Sequence, residues 1–156
     1  MNIFVLDKNL KQSVIYHPNK HIVKMPIEGT QMLCSVLYLS GNWEDWMYKP
    51  THLSHPCTQW VYTSLDNWVW LREYVVELGR EYTYRYGKIH KSVELVKRLP
   101  MPNIESKGLL EFVKCMPSEY IVDSVVESYR NYFKGEKGNL KEYKNREVPN
   151  WWLFDQ

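Results

Sequence analysis

Five polar side chains near the start of the chain are spaced to share one helix face. At about 100° per residue, Lys20, His21, Lys24, Glu28 and Gln31 fall within an arc of roughly 100°. The stripe brings together an imidazole, two amines and a carboxylate. These are the groups of proton transfer, of imine formation and of phosphate contact. Ile22, Leu33, Val36 and Leu37 lie on the opposite side and face the expected core. Such a stripe is either a polar site or a solvated face carrying an i,i+4 ion pair between Lys24 and Glu28.

A loop follows with its own chemistry. Tyr48-Lys49-Pro50-Thr51-His52-Leu53-Ser54-His55-Pro56-Cys57 holds two histidines between its two prolines and a thiol directly after the second, a poor helix and a good binding loop. His52, His55 and Cys57 offer three metal-ligand types, but their spacing matches no standard zinc signature. A metal-dependent hydrolase is therefore the last-ranked reading, and no metal or cofactor is expected. His52 and His55 read instead as backbone-ordering or phosphate-contacting groups. A third cluster joins Arg80, Arg85, Lys88, His90 and Lys91 with Tyr82, Tyr84 and Tyr86 interleaved. Cations neutralise phosphates and aromatic faces stack on unpaired bases, so Arg85, Lys88, His90 and Lys91 are candidate nucleic-acid contacts. The competing reading is a basic helix end set against the helix dipole.

The elements that must hold these groups are mostly helical. Residues 2–6 form a short buried strand or extended segment, broken by Asp7-Lys8-Asn9. Pro18 opens a helix that runs to about Leu39, with Pro26 kinking it or dividing it in two. A long helix spans about Thr58 to Tyr86 on the apolar stripe Val61, Leu65, Trp68, Leu71, Val75, Leu78 and Tyr82, and Gly87 ends it. Shorter helical pieces are predicted near Ser92–Leu99, Gly108–Cys115 and 119–134. Residues 134–144 read as an exposed helix or arm, and the tail with Arg146, Trp151 and Trp152 docks back on the body or stacks on bases.

Size and composition agree with a mostly α, compact single-domain fold over residues 1–156. Seven Trp and twelve Tyr in 156 residues supply amphipathic surface for core and interface alike. A net charge of +2 does not by itself point to nucleic acid. Cys34, Cys57 and Cys115 form no paired sequence motif, which reads as a reduced, cytoplasmic setting. No apolar run approaches a membrane span. Phosphate-loop, dinucleotide, nucleophile-elbow and zinc-protease motifs are missing, which argues against a nucleotide-fuelled or nicotinamide-dependent enzyme.

Three runs resemble a family of small uncharacterised bacteriophage proteins: Asn19-Lys20-His21-Ile22-Val23-Lys24-Met25, Tyr48-Lys49-Pro50-Thr51-His52 with His55-Pro56-Cys57, and Glu81-Tyr82 with Arg85-Tyr86-Gly87-Lys88. The order of features also resembles the phage pyrimidine-dimer DNA glycosylases of the endonuclease V type. The shared features are an Asn-containing apolar start, a first helix with His and charged residues, and a Pro-Thr loop before a long helix. A late Tyr-bearing helix and Pro149-Asn150-Trp151-Trp152 complete the layout. The resemblance implies a compact helical fold that kinks duplex DNA, extrudes a base and cleaves its glycosidic bond. That family uses an N-terminal amine exposed by removal of the initiator Met. Here the bulky Asn2 is expected to retain Met1, so the resemblance implies an imine-forming amine from Lys24 or Lys20, with Glu28 stabilising the cationic sugar and His21 or Glu28 moving protons. The alternative from another class is a non-catalytic phage accessory protein that binds nucleic acid, a host protein or a small nucleotide signal.

Overall fold

The computed structural model describes residues 1–153, and among them are seven α-helices and no strand. They are α1 (Leu10–Ile15), α2 (Asn19–Leu39), α3 (Pro56–Thr63), α4 (Leu65–Tyr86), α5 (Lys91–Val96), α6 (Val125–Glu136) and α7 (Asn150–Leu153). The mostly helical reading is therefore correct.

The first residues are a buried thread rather than a strand. Ile3, Phe4, Val5 and Leu6 are all buried, as four consecutive apolar residues require when a segment is covered on every side. With no neighbouring strand, side chains satisfy its backbone. Ser13 Oγ accepts from the Leu6 N–H at 2.9 Å, and Arg130 Nε donates to the Leu6 carbonyl at 2.9 Å. Phe4 meets Tyr129 and Phe133 of α6 edge-on.

The sequence reading passes over α1. Asn9, taken there as a breaker, is its N-cap, and its side chain accepts from the Gln12 N–H at 2.9 Å. The α2 boundaries match the expected ones, but α2 is one continuous helix through Pro26. It forms the centre of the molecule with α4. The two come so close that a Cβ on Gly29 would lie 2.5 Å from Val75 Cγ2. The predicted long helix is broken at Ser64, whose backbone turns extended and whose hydroxyl accepts from the Asp66 and Lys107 N–H groups. Gly87 ends α4 in the left-handed region (φ 68°), as expected.

No helical turn forms at 108–115. This stretch runs irregularly across α3 and α4, with Trp60 Nε1 donating to the Glu111 carbonyl and Leu110 N–H to Asn67 Oδ1. It then leads to α6, capped by Ser124. The aromatic tail does dock: Trp152 is buried against Phe133, with ring centroids 5.4 Å apart.

Candidate active site

The site forms where the buried thread begins. Asn2 anchors it with both ends of its amide. Its Nδ2 donates to the Cys115 carbonyl at 2.7 Å, and its Oδ1 accepts from the Ile3 N–H at 2.8 Å and the Tyr129 hydroxyl at 2.8 Å. Cys57 Sγ lies 3.6 Å from the same oxygen. Tyr129 is itself fixed, since its hydroxyl accepts from the Cys115 N–H at 3.2 Å. Burial pushes the Tyr129 phenol well up, so it stays a hydroxyl able to donate.

This clamp sets the position of Met1. Its α-amino group lies 3.4 Å from Glu28 Oε1, and Lys24 Nζ lies 3.3 Å from Glu28 Oε2. Glu28 is thus flanked by two amines in different settings. The Lys24 side chain is 68% exposed, whereas the Met1 side chain is 3% exposed. Because Met1 as a whole residue is half-buried, its accessible part is the main-chain end that carries the amine.

Two further titratable groups feel the charge of this carboxylate. Lys137, at the end of α6, sits 5.3 Å from the Phe4 ring centroid. Burial, then the charge of Lys24, pull its ammonium below the ordinary lysine range, with Glu136 and then Glu28 opposing them. His55 is held low by burial, then by the terminal amine and by His52, again opposed by Glu28. The terminal amine and Lys24 thus contact Glu28, while Lys137 and His55 are near enough to feel its charge.

The sequence candidates are distributed unevenly about this centre. Glu28 and Lys24 are in it, and Lys20 is exposed on α2 one turn before Lys24. His21 is buried and stacks flat on Phe4, with centroids 4.7 Å apart and planes 2° apart. His52 is exposed, while His55 lends its Nδ1 to cap α3 by accepting from the Cys57 N–H. Among the described residues no three His, Cys, Asp or Glu side chains converge as a metal site would need.

Arg85 requires correction as a nucleic-acid contact. Its side chain is fully buried, with Nε donating to Glu81 at 2.7 Å, Nη1 to Asn19 Oδ1 and Nη2 to the Ile15 carbonyl. Nothing of the guanidinium is left for a phosphate. Its neighbours differ: Lys88 and Lys91 are exposed, and His90 lies 2.9 Å from the Val23 carbonyl, tying the link after α4 to α2 just before Lys24.

Sequence reasoning set the N-terminal amine aside in favour of Lys24 or Lys20, and it missed the anchoring role of Asn2 together with Tyr129 and Lys137. The available signals were a lone amide in an apolar start and a tyrosine in the apolar stripe of α6, whose hydroxyl needs a buried partner. A cavity of about 750 Å³ lies between α1 and α4 around Leu10, Val69, Arg72 and Met101 and takes in none of these residues.

A primary amine held against a carboxylate on a helical scaffold is one of the arrangements that imine chemistry can use. The family model for pyrimidine dimer DNA glycosylase matches residues 1–95, and the chain belongs to that family. The match covers the thread, α2, the histidine loop and α4. No curated protein and no solved structure matches significantly. Within the described residues no helix is long and apolar enough to cross a membrane.

Proposed function

We propose that this protein is a DNA glycosylase that acts on a damaged or modified base through an imine intermediate, with a cytoplasmic place of action. The observation that carries the reading is the amine–carboxylate pair, Met1 N to Glu28 Oε1 at 3.4 Å, built by residues of a glycosylase family. In this reaction the unprotonated amine attacks C1′ of the deoxyribose, and the C1′–N bond breaks with its electron pair leaving on the base. Glu28 offsets the positive charge that develops on the sugar. The nitrogen then gives up one proton, the C1′–O4′ bond breaks with O4′ taking up that proton as a hydroxyl, and the protonated C1′ imine that results is resolved by water or by β-elimination.

Either amine on Glu28 has the required reach. The α-amine is preferred over Lys24 because the clamp on Asn2 fixes its position, whereas the Lys24 side chain is 68% exposed. Lys20 and Lys24 then serve as phosphate contacts, together with Lys137, His52, His55, Lys88 and Lys91. His21, sealed against Phe4, shapes the floor of the site rather than moving protons.

The test is borohydride trapping on labelled duplexes carrying an abasic site or a thymine dimer, with peptide mapping of the adduct. The expected adduct maps to residue 1, survives Lys24→Ala, and falls about 100-fold or more in rate with Glu28→Gln. An adduct that maps to Lys24 and is lost in Lys24→Ala would transfer the nucleophile to that side chain. Absence of any adduct, with salt-sensitive retention of the duplex, would replace the enzyme with a binding protein.

A further inference from the structure

Two of the three thiols meet directly behind the amine. Cys57 opens α3 and Cys115 ends the irregular stretch that crosses it, 58 positions later, yet their sulfurs are 3.5 Å apart. The third, Cys34, is fully buried in α2, where burial pushes its thiol up to about 11. The pair is joined to the clamp at three points. Cys57 Sγ lies 3.6 Å from Asn2 Oδ1, the Cys115 carbonyl accepts from Asn2 Nδ2, and the Cys115 N–H donates to Tyr129.

We propose that Cys57 and Cys115 are an oxidisable pair whose conversion to a disulfide loosens the hold of Asn2 on the terminal amine. The two thiols differ in the way a peroxide-reactive pair needs. Cys115 is half-exposed, and the Cys57 S–H pointing at it lowers its thiol to about 7, helped by the charge of the α-amine. Cys57 is buried and pushed up, so it is the proton-bearing partner. Hydrogen peroxide is the oxidant class. The Cys115 thiolate attacks one peroxide oxygen, the O–O bond breaks, and the departing hydroxide takes up a proton as water. Cys57 sulfur then displaces the hydroxyl from the Cys115 sulfenic acid, and its own proton leaves with that hydroxyl as a second water. Two thiols and one peroxide become one disulfide and two waters.

Closing the bond shortens the sulfur separation from 3.5 Å to about 2.05 Å. It also removes the single Cys57 S–H, which lies within reach of both Cys115 Sγ and Asn2 Oδ1. Cys115 lies in a stretch without regular secondary structure, so this segment is the one that moves, and it carries with it the carbonyl that grips Asn2.

The test treats the full-length protein with hydrogen peroxide, removes the excess, and reads three quantities. The first is the intact mass and peptide map. The second is the rate at which a limiting acylating reagent labels the Met1 α-amine. The third is the yield of borohydride trapping on an abasic duplex. The expected map shows a Cys57–Cys115 cross-linked peptide with Cys34 still free. Labelling of Met1 rises several-fold as the amine leaves Glu28, trapping falls about tenfold, and a dithiol reductant reverses both. Cys115→Ser and Cys57→Ser abolish the cross-link and the peroxide response. Cys115 ending as a sulfinic acid beside a free Cys57 would overturn the pairing. A cross-link that leaves Met1 labelling unchanged would overturn the coupling. Only the trapping arm rests on the glycosylase reading, so a reduced protein that traps nothing defeats that reading and leaves the mass and labelling to decide this one.

Discussion

At the scale of single residues, the site depends on groups that act through Asn2. Tyr129 touches no reacting atom, yet its hydroxyl meets both Asn2 Oδ1 and the Cys115 N–H. Tyr129→Phe keeps the ring among its apolar neighbours and removes that hydroxyl, leaving buried partners unpaired at a cost of about 1–3 kcal/mol. The expected result is a lower kcat in single-turnover trapping with little change in KM for the duplex, because the amine is mispositioned while the phosphate contacts stay. An equal rise in KM would assign Tyr129 to substrate binding instead. Asn2→Ala should move the same quantities further, since it removes the whole anchor. Half of this centre could be read from the sequence. Glu28 and Lys24 are a helical turn apart, and the period of α2 puts them together. The α-amine belongs to no side-chain pattern, and Tyr129 reaches Asn2 across 127 positions that no local period connects.

At the scale of elements, the close approach of α2 and α4 holds Glu28 over the chain start. Gly29 follows Glu28 directly, and a methyl there would meet Val75 Cγ2 at 2.5 Å. Val75 is buried and β-branched, so it cannot swing aside cheaply. Gly29→Ala should therefore destabilise the protein by about 1–3 kcal/mol in urea unfolding, and Val75→Ala in the same chain should return part of that loss. If Gly29→Ala is instead neutral or stabilising, the helices are not in the contact described. The element boundaries show where sequence patterning works. Pro18 and Gly87 mark real ends because each changes the backbone locally, as Gly41 (φ 81°) does just beyond Leu39. The break at Ser64 was hidden because Val61, Leu65 and Trp68 stay in phase across it, so the apolar stripe continues while the hydrogen bonding does not. The absent turn at 108–115 has the complementary cause. Its apolar residues are satisfied by lying across α3 and α4, and its backbone groups find Trp60 and Asn67 as partners rather than one another.

At the scale of the whole molecule, the buried ionisable groups fix how stability responds to acid. His17 lies in the core with Nδ1 2.7 Å from the Ser13 carbonyl and Nε2 2.6 Å from the Tyr74 hydroxyl, so the neutral ring donates through the first and accepts through the second. Burial lowers its pKa to about 4. Burial, then the charges of His17, Lys137 and Lys24, lower His21 to about 2, and His21 Nδ1 has no hydrogen-bond partner among the described residues. Below the ordinary histidine pKa the unfolded chain takes up protons at both positions while the folded chain does not. Stability is therefore lost as pH falls, at up to about 1.4 kcal/mol per pH unit for each histidine. For His17 that loss stops near pH 4, where the folded ring also protonates, and for His21 it continues lower. Glu81 adds to it at the acid end. Burial raises its carboxyl, but hydrogen bonds from Arg146 and Arg85 outweigh that and hold it below the ordinary range, so its contribution disappears as pH falls through the depressed value. Against a total of about 5–15 kcal/mol, these losses are a large fraction of the stability. Thermal melts from pH 7 to pH 4.5 should show a steep, continuous fall in Tm. His21→Phe, which keeps a flat ring on Phe4 and removes the titration, should make that slope shallower and raise Tm over wild type most at the acid end. A wild-type Tm that stays level across this interval would mean that the two rings accept protons in the folded state, and that the floor of the site is open to water.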